Sequence, residues 1–591
     1  MNKEPAQTNR GNGRFLIILL LILLLAFAMR LHNLTADAPL GISATQELSL
    51  DGPATISAGR DMALFGQWNA FASPHAIQIM YPFANWLAFL FFRLLGTSYW
   101  SANLISVVTG LLSIALIAGF ARQHFSRRSA QFAAFFLAIN YIYIIYNRDP
   151  MAYTTVSCGM AFILYAWGRG LRQPVWFFVS GAGTAFAALF IKLPAIAFLP
   201  AAFIAFLWLI LQQRSWRHAR AYIPLFLFIV GNVAVAGMWM LFLYQPQPET
   251  VSTAYYARTL SPRLGLEEVV RNGLYSVLYM GVDFGFVWRM LPVFVLAYGY
   301  TFGRLAQFLT RQRPSLSAVE VLMLLFLLSS LAMLYVSLIR PLRYQIVLIP
   351  QMCLVAGVAL DRLWRRPSLT LPTEFGRLFP LVLYGGVTYF LYEVITAVYS
   401  FAQLQPTQLG FAERWGTLEV TTTYTILTIS LFVSLPLVLG YLFLVTRGGR
   451  YVMPISWRRA LVATILLASL SLQFLQYATM QQTLQYSLVE TARQVAYTLP
   501  SESTILAGPY AVPLALESQL PAIWMLGNDK EAFLTTSFTH LVVDVDGPYP
   551  AQYFYYTEAQ LRDTVPSLFT NARLVQTYTV RGYTIHVYKM N

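Results

Sequence analysis

The sequence predicts a mainly α, polytopic membrane protein of about thirteen transmembrane helices, with a small α/β domain at its C-terminal end. Three observations predict it. Hydrophobic residues fill 57% of the 591 positions and charged residues only 11%, against about 25% charged in soluble globular chains. Apolar runs close to the ~20 residues that cross a bilayer as a helix recur along most of the chain. After position 480 the character changes, and proline, serine, threonine and acidic residues return.

The spans are expected near 14–32, 98–120, 130–146, 151–167, 175–191, 194–212, 222–244, 287–308, 318–338, 343–361, 379–400, 424–446 and 459–478. Phe15 to Met29 has the apolar character of a signal-peptide core. No clean small-residue cleavage pattern follows it, so it is expected to stay as the first span. Arginines mark one side of the membrane. Arg122, Arg127 and Arg128 follow the second span, Arg169 and Arg172 the fourth, and Arg214, Arg217 and Arg220 the sixth. Arg304, Arg311 and Arg313 follow the eighth, Arg362, Arg365 and Arg366 the tenth, and Arg447, Arg450, Arg458 and Arg459 the twelfth. The positive-inside rule places them in the cytoplasm with the N-terminal tail 1–13. The segment 76–95 is apolar too, but as a full span it would put the first clusters on the wrong face. It holds Pro82 and Arg93 and precedes Gly96, so a juxtamembrane or re-entrant helix is expected there.

The transmembrane domain is then 14–479, with a long outer loop at 33–97, and 480–591 is an extracytoplasmic α/β domain. Strands are expected at Thr504–Leu506, His540–Val545, Ala572–Val580 and Tyr583–Tyr588, and helices at Thr491–Leu499, Tyr510–Gln519 and Glu558–Phe569.

The net charge of +15 does not point to nucleic acid, because the positive residues sit in short clusters between apolar runs. Cys158 and Cys353 both lie inside apolar segments, so neither a disulfide nor a zinc site is expected. No phosphate-binding glycine loop, zinc-ligand spacing or dinucleotide fingerprint is present. The missing disulfides and retention signals point to a bacterial cell membrane.

Candidate chemistry lies at the outer mouths of the spans. A carboxylate beside a bilayer is costly without a partner or a task. Asp51, in Leu50-Asp51-Gly52-Pro53, either caps a helix or takes a proton from a hydroxyl or amine, and the two roles are compatible. Asp149, in Arg148-Asp149-Pro150, either caps the next helix and pairs with Arg148 or acts as a second acid. Lys192, in Ile191-Lys192-Leu193-Pro194, and Arg340 and Arg343 in the turn before Tyr344 are outward cations. They either bind a lipid phosphate or contact headgroups. His75 and Tyr81, which opens the aromatic patch Tyr81-Pro82-Phe83, complete the set of candidate cavity residues with Arg148 and Tyr344. His540 reads as a structural histidine in a buried strand, and Asn33-Leu34-Thr35 as a weak sequon.

In order and spacing these motifs resemble the GT-C fold glycosyltransferases, in the branch of protein O-mannosyltransferases and lipid A aminoarabinose transferases. The acid in the long outer loop is followed by Tyr81-Pro82 and Phe91-Phe92-Arg93-Leu94-Leu95-Gly96. Then come Phe125-Ser126-Arg127-Arg128, Arg148-Asp149-Pro150 and Lys192-Leu193-Pro194, and later Arg343-Tyr344 and Leu360-Asp361-Arg362-Leu363. The likeness covers about residues 14–366. It implies a polyprenyl-phosphate sugar donor and a lipid, glycan or protein acceptor on the outer face. It also implies that Asp51 is the catalytic acid, Asp149 the second loop acid, and Lys192 and Arg343 neighbours of the donor phosphate. The family commonly has a second acid directly after the first, and this chain has Gly52. A divalent cation is therefore left open. Two rivals stand beside an inverting transferase. One is a transporter or flippase of polyprenyl-linked glycans, for which Glu393 would be the buried charge. The other is a relative that binds lipid-linked sugars without turnover.

Overall fold

The first helix, α1 (Asn9–Leu31), turns Leu16, Ile17, Leu20, Leu21 and Leu24 outward and buries Phe15 and Ala26. An exposed apolar stripe of that extent suits a lipid-facing surface. The structure is a computed structural model that describes residues 9–39, 51–68, 70, 81–212, 217–249, 251, 286–308, 316–336, 342–365, 368–370, 379–402, 420–446, 450–452, 454–500, 504–525, 530–545 and 557–590. Among them, 8 helices are long and apolar enough to cross a membrane, and Pro82–Leu95, Val175–Ile191 and Ala318–Leu334 are shorter apolar helices. The chain is a multi-pass membrane protein.

The outer loop contains α2 (Asp51–Thr55), α3 (Ser57–Phe65) and α4 (Pro82–Leu95). The segment 76–95 thus yields a 14-residue helix with proline in its first turn, shorter than a span. Asn85 ties these pieces together, accepting from Gly59 N at 2.9 Å and donating to Thr55 O at 2.9 Å and Tyr81 O at 3.0 Å. Next come α5 (Tyr99–His124), α6 (Arg127–Ile139), α7 (Tyr141–Tyr146) and α8 (Ala152–Gly170). The expected span 130–146 is broken at Asn140, which leaves helical geometry and caps α7 by accepting from Tyr143 N at 2.9 Å.

One end of the bundle collects the arginine clusters. Glu320 takes Arg304 at 3.3 Å and Arg362 at 2.5 Å, and Asp361 takes Arg365 at 2.9 Å and Ser126 at 2.7 Å. Arg128 and Arg459 both stack on Trp364. Arg362 and Arg365 end the helical run whose other end carries Arg343, so Arg343 lies at the opposite face.

That opposite face is covered by the C-terminal domain. Strands β1 (Ser368–Thr370) and β2 (Arg450–Val452) form a separate antiparallel pair. The C-terminal sheet is built of β3 (Leu506–Gly508), β4 (Ala522–Trp524), β5 (His540–Asp544), β6 (Arg573–Val580) and β7 (Tyr583–Lys589) in the order β4-β3-β5-β7-β6, with β3 parallel to both β4 and β5. The strands β6 (Arg573–Val580) and β7 (Tyr583–Lys589) form an antiparallel hairpin, and β7 also pairs antiparallel with β5. Three of the expected strands are present to within a residue, the first lies at Leu506–Gly508 and not at Thr504–Leu506, and β4 is an addition, too short at 3 residues to show alternation. His540 is buried in β5 as a structural histidine, with Nδ1 3.0 Å from Thr539 Oγ1.

Polar clamps seat this domain on the bundle. Asp37 caps the helix Ser487–Thr498, accepting from Ser487 N at 2.9 Å and Leu488 N at 3.2 Å. Arg581, at the β6–β7 turn, donates to Ala38 O at 2.8 Å. Arg60 of α3 is fully buried and donates to the carbonyls of Ala515, Ser518 and Leu520 at 2.8, 3.0 and 2.8 Å. These follow the helix Ala511–Ala515, where carbonyls lack helical partners. Burial pushes the Arg60 guanidinium down to about 10, with Asp61 opposing the shift, so it stays charged at neutral pH. Arg60→Met should cost about 2–4 kcal/mol, because the Ser518 and Leu520 carbonyls lose their donor while Ala515 O keeps only Ser518. Thermal denaturation in detergent micelles checks this, and an unchanged melting temperature would contradict it.

Candidate active site

Asp51 is itself the first residue of α2, which begins two positions before Pro53, so it lies in the first helical turn and is not the cap of a helix starting near Pro53. Its carboxylate also forms an ion pair with Arg343, from the short helix Leu342–Gln345. Both side chains are mostly buried, at 20% and 16% exposure, so the pair sits at a boundary that solvent still reaches.

Asp149 lies in the loop between α7 and α8. The expectation that it caps the following helix is corrected. That helix starts at Ala152, its N-cap is Met151, and no side chain caps it. Instead the Asp149 carbonyl accepts from Ser106 Oγ at 2.5 Å and from Met151 N at 2.8 Å, which holds a tight turn. The turn sends the carboxylate against the backbone of Gly52, where any Cβ would overlap it. The two acids thus flank one glycine and are the carboxylates that could hold a divalent cation. Among the described residues, no group of three His, Cys, Asp or Glu side chains gathers as a metal site. Arg148 turns elsewhere: its guanidinium donates to Asn33 O and lies 3.7 Å from Met480 Sδ. Asn33, the sequon residue, spends its own amide on Gln481 at 2.9 Å.

Lys192 stands in a break. The helix Val175–Phe186 loosens into a π turn, Ala187–Ile191; Lys192 is extended, and a 3-10 turn, Leu193–Ala197, follows with Pro194 near its start. The break frees the side chain from the helix surface. Its ammonium donates to Tyr81 Oη at 3.1 Å and faces three rings, at 3.9 Å from the centroid of Tyr153, 4.8 Å from Tyr81 and 5.9 Å from Tyr344. Arg343 lies over the same Tyr344 ring at 5.4 Å, and the Tyr153 and Tyr344 centroids are 5.1 Å apart. Asp51, Arg343, Tyr344, Tyr153, Lys192 and Tyr81 therefore form one continuous cluster. Tyr153 was missed in the sequence reading, since a tyrosine inside an apolar run carries no local signal. Arg340 and His75 lie outside the described residues. Beneath the C-terminal domain a polar pocket lined by Asp37, Tyr99, Asn103, Arg148, Asp149 and Arg581 reaches the second acid.

This arrangement supplies an acid, two cations and a pocket at one membrane face. The fold that carries it is the GT-C fold. Across 99% of this chain and 98% of the other, it matches ArnT from Cupriavidus metallidurans bound to undecaprenyl phosphate, with TM-score 0.55 and 17% identity. The same protein in the apo state matches with TM-score 0.57 and 16% identity, over 98% of each chain. Residues 75–239 match the model of the dolichyl-phosphate-mannose-protein mannosyltransferase family. That segment includes Tyr81, Asp149, Tyr153 and Lys192. No curated protein matches in sequence.

Proposed function

We propose that the chain is an integral-membrane glycosyltransferase moving a sugar from a polyprenyl-phosphate donor to a lipid, glycan or protein acceptor. The reaction takes place at the face covered by the C-terminal domain, which the arginine pattern makes extracytoplasmic. The observation that carries the reading is the continuous cluster of Asp51, Arg343 and Lys192. It joins a carboxylate and two cations in one cluster, which suits transfer from a phosphate leaving group. The fold and the family match of residues 75–239 support it.

The chemistry is one displacement. Asp51 takes the proton of the acceptor hydroxyl or amine. The acceptor atom attacks the anomeric carbon, and the carbon–oxygen bond to the lipid phosphate breaks. The electron pair leaves on the phosphate, whose growing charge Lys192 and Arg343 stabilise. The anomeric carbon is inverted, and Asp51 holds the proton. Arg343 has two tasks in sequence: it pairs with the Asp51 carboxylate before the donor arrives, then takes part of the phosphate charge. Asp149 orients the acceptor from the polar pocket side.

Lys192→Met should weaken binding of a polyprenyl-phosphate sugar by about tenfold or more, through loss of a charge-assisted contact. Lys192→Arg should keep part of it. Donor titration by isothermal calorimetry in nanodiscs checks both. Equal affinity in wild type and Lys192→Met would remove Lys192 from the donor site.

A further inference from the structure

We infer that Arg30, inside the first membrane helix, is a positioning residue that sets the place of Asp149 through Asn147. This rests on the reading of Asp149 as part of the active site.

Arg30 is fully buried in α1. A guanidinium at such depth is costly unless its donors are used. Nη1 donates to Ala26 O and Ala138 O, both at 3.0 Å, and Nη2 to Leu137 O at 3.4 Å. Leu137 and Ala138 end α6, where the break at Asn140 leaves carbonyls without helical donors. Nε donates to Asn147 Oδ1 at 2.9 Å.

Asn147 is the first residue after α7 and lies two positions before Asp149. Its amide is clamped from both sides. Arg30 holds its oxygen, and on the other side it rests against Gly110 of α5, where a Cβ would overlap it. Its backbone N donates to Tyr143 O at 2.9 Å, and Arg148 N to Ile145 O at 3.0 Å. Asp149 is then pinned to Ser106 of α5, four residues before Gly110. The direction of the loop is therefore set by α1 and α5 together, and the Asp149 carboxylate ends against Gly52 as a result. Arg30 touches neither Asp51 nor the Lys192 cage in any of these contacts. It acts on Asp149 through one hydrogen bond.

Three variants test this. Arg30→Met removes the whole anchor, at the risk of unfolding, because the α6 carbonyls lose their donors. Gly110→Ala leaves Arg30 and its carbonyls intact and only displaces the Asn147 amide. Asn147→Asp keeps an acceptor oxygen for Arg30. Turnover at saturating substrate, donor affinity, melting temperature and amide hydrogen exchange of residues 143–154 are measured for each. Gly110→Ala is expected to lower kcat by about 10–100-fold, the scale of an ångström-sized misplacement. Donor affinity should stay within about twofold, melting should fall as overpacking requires with the protein still folded, and exchange should speed up at 147–151. Asn147→Asp should keep exchange protection and most turnover. Wild-type kcat in Gly110→Ala together with unchanged exchange would overturn the inference. So would a loss confined to melting temperature in all three variants. If the wild type transfers no sugar, the enzymatic reading fails, and hydrogen exchange alone still decides whether Arg30 and Gly110 set the loop.

Discussion

Asp51→Asn is expected to lower sugar transfer by about 10²–10⁴-fold, the range that general-base catalysis supplies. The amide keeps the shape of the carboxylate and cannot accept the proton. The substitution also weakens the Arg343 contact. That pair is only partly buried, so the cost in stability should be about 1 kcal/mol or less. Donor affinity should hold or rise slightly, since Arg343 is released toward the phosphate. A variant that folds, binds donor and does not turn over would place Asp51 at the reacting atoms. A variant with wild-type turnover would remove it from the mechanism and leave Asp149 as the acid to test.

Gly52→Ala is expected to be nearly as damaging, although it adds a single methyl group. That methyl would fall where the Asp149 carboxylate lies. Either the carboxylate moves away or α2 shifts with Asp51, and both disturb the pair of acids. Overpacking of this kind costs about 1–3 kcal/mol. At a site where geometry sets the rate, the expected loss of turnover is about 100-fold. Gly52→Asp should be worse, because it adds a third carboxylate to the crowding. A test separates the two displacements. If Asp149 is what moves, Gly52→Ala should lose no more turnover than Asp149→Ser. If α2 shifts with Asp51, Gly52→Ala should lose more, and the Gly52→Ala, Asp149→Ser double variant should regain turnover relative to Gly52→Ala. Full activity in Gly52→Ala would show that the close approach of the two segments has no part in catalysis.

Gly52 explains why the departure from the resembled family is not a plain loss. At the position after Asp51, the space a side chain would take is filled by Asp149 from a loop nearly a hundred residues later. That exchange was hidden in the sequence, since nothing near Gly52 announces the loop that fills it. Asp51, Asp149, Lys192, Arg343, Tyr81 and Tyr344 were readable because each is an ionisable or aromatic group at the end of an apolar run. The contacts that arrange them were not. Arg30 to Asn147 spans 117 positions and Arg60 to Ala515 spans 455. Such pairings leave no periodicity or local spacing to read.

The fold followed a similar division. Long apolar runs and arginine clusters gave the multi-pass architecture, and alternation gave four of the five strands of the C-terminal sheet. The break in the helix at Asn140 and the π and 3-10 turns around Lys192 went unseen, because they sit inside runs whose composition is that of a continuous helix. Pro194 was the one visible mark of the second break.

The central claim is that the donor is a sugar carried on a polyprenyl phosphate. It is tested most directly by incubating the purified protein in lipid nanodiscs with a panel of polyprenyl-phosphate sugars and following release of the free polyprenyl phosphate. The expected result is catalytic release from at least one donor by the wild type, dependent on Asp51 and Lys192. Donor binding without release across the panel, or movement of intact lipid-linked sugar between leaflets in its place, would contradict the account and favour a carrier or a binding protein.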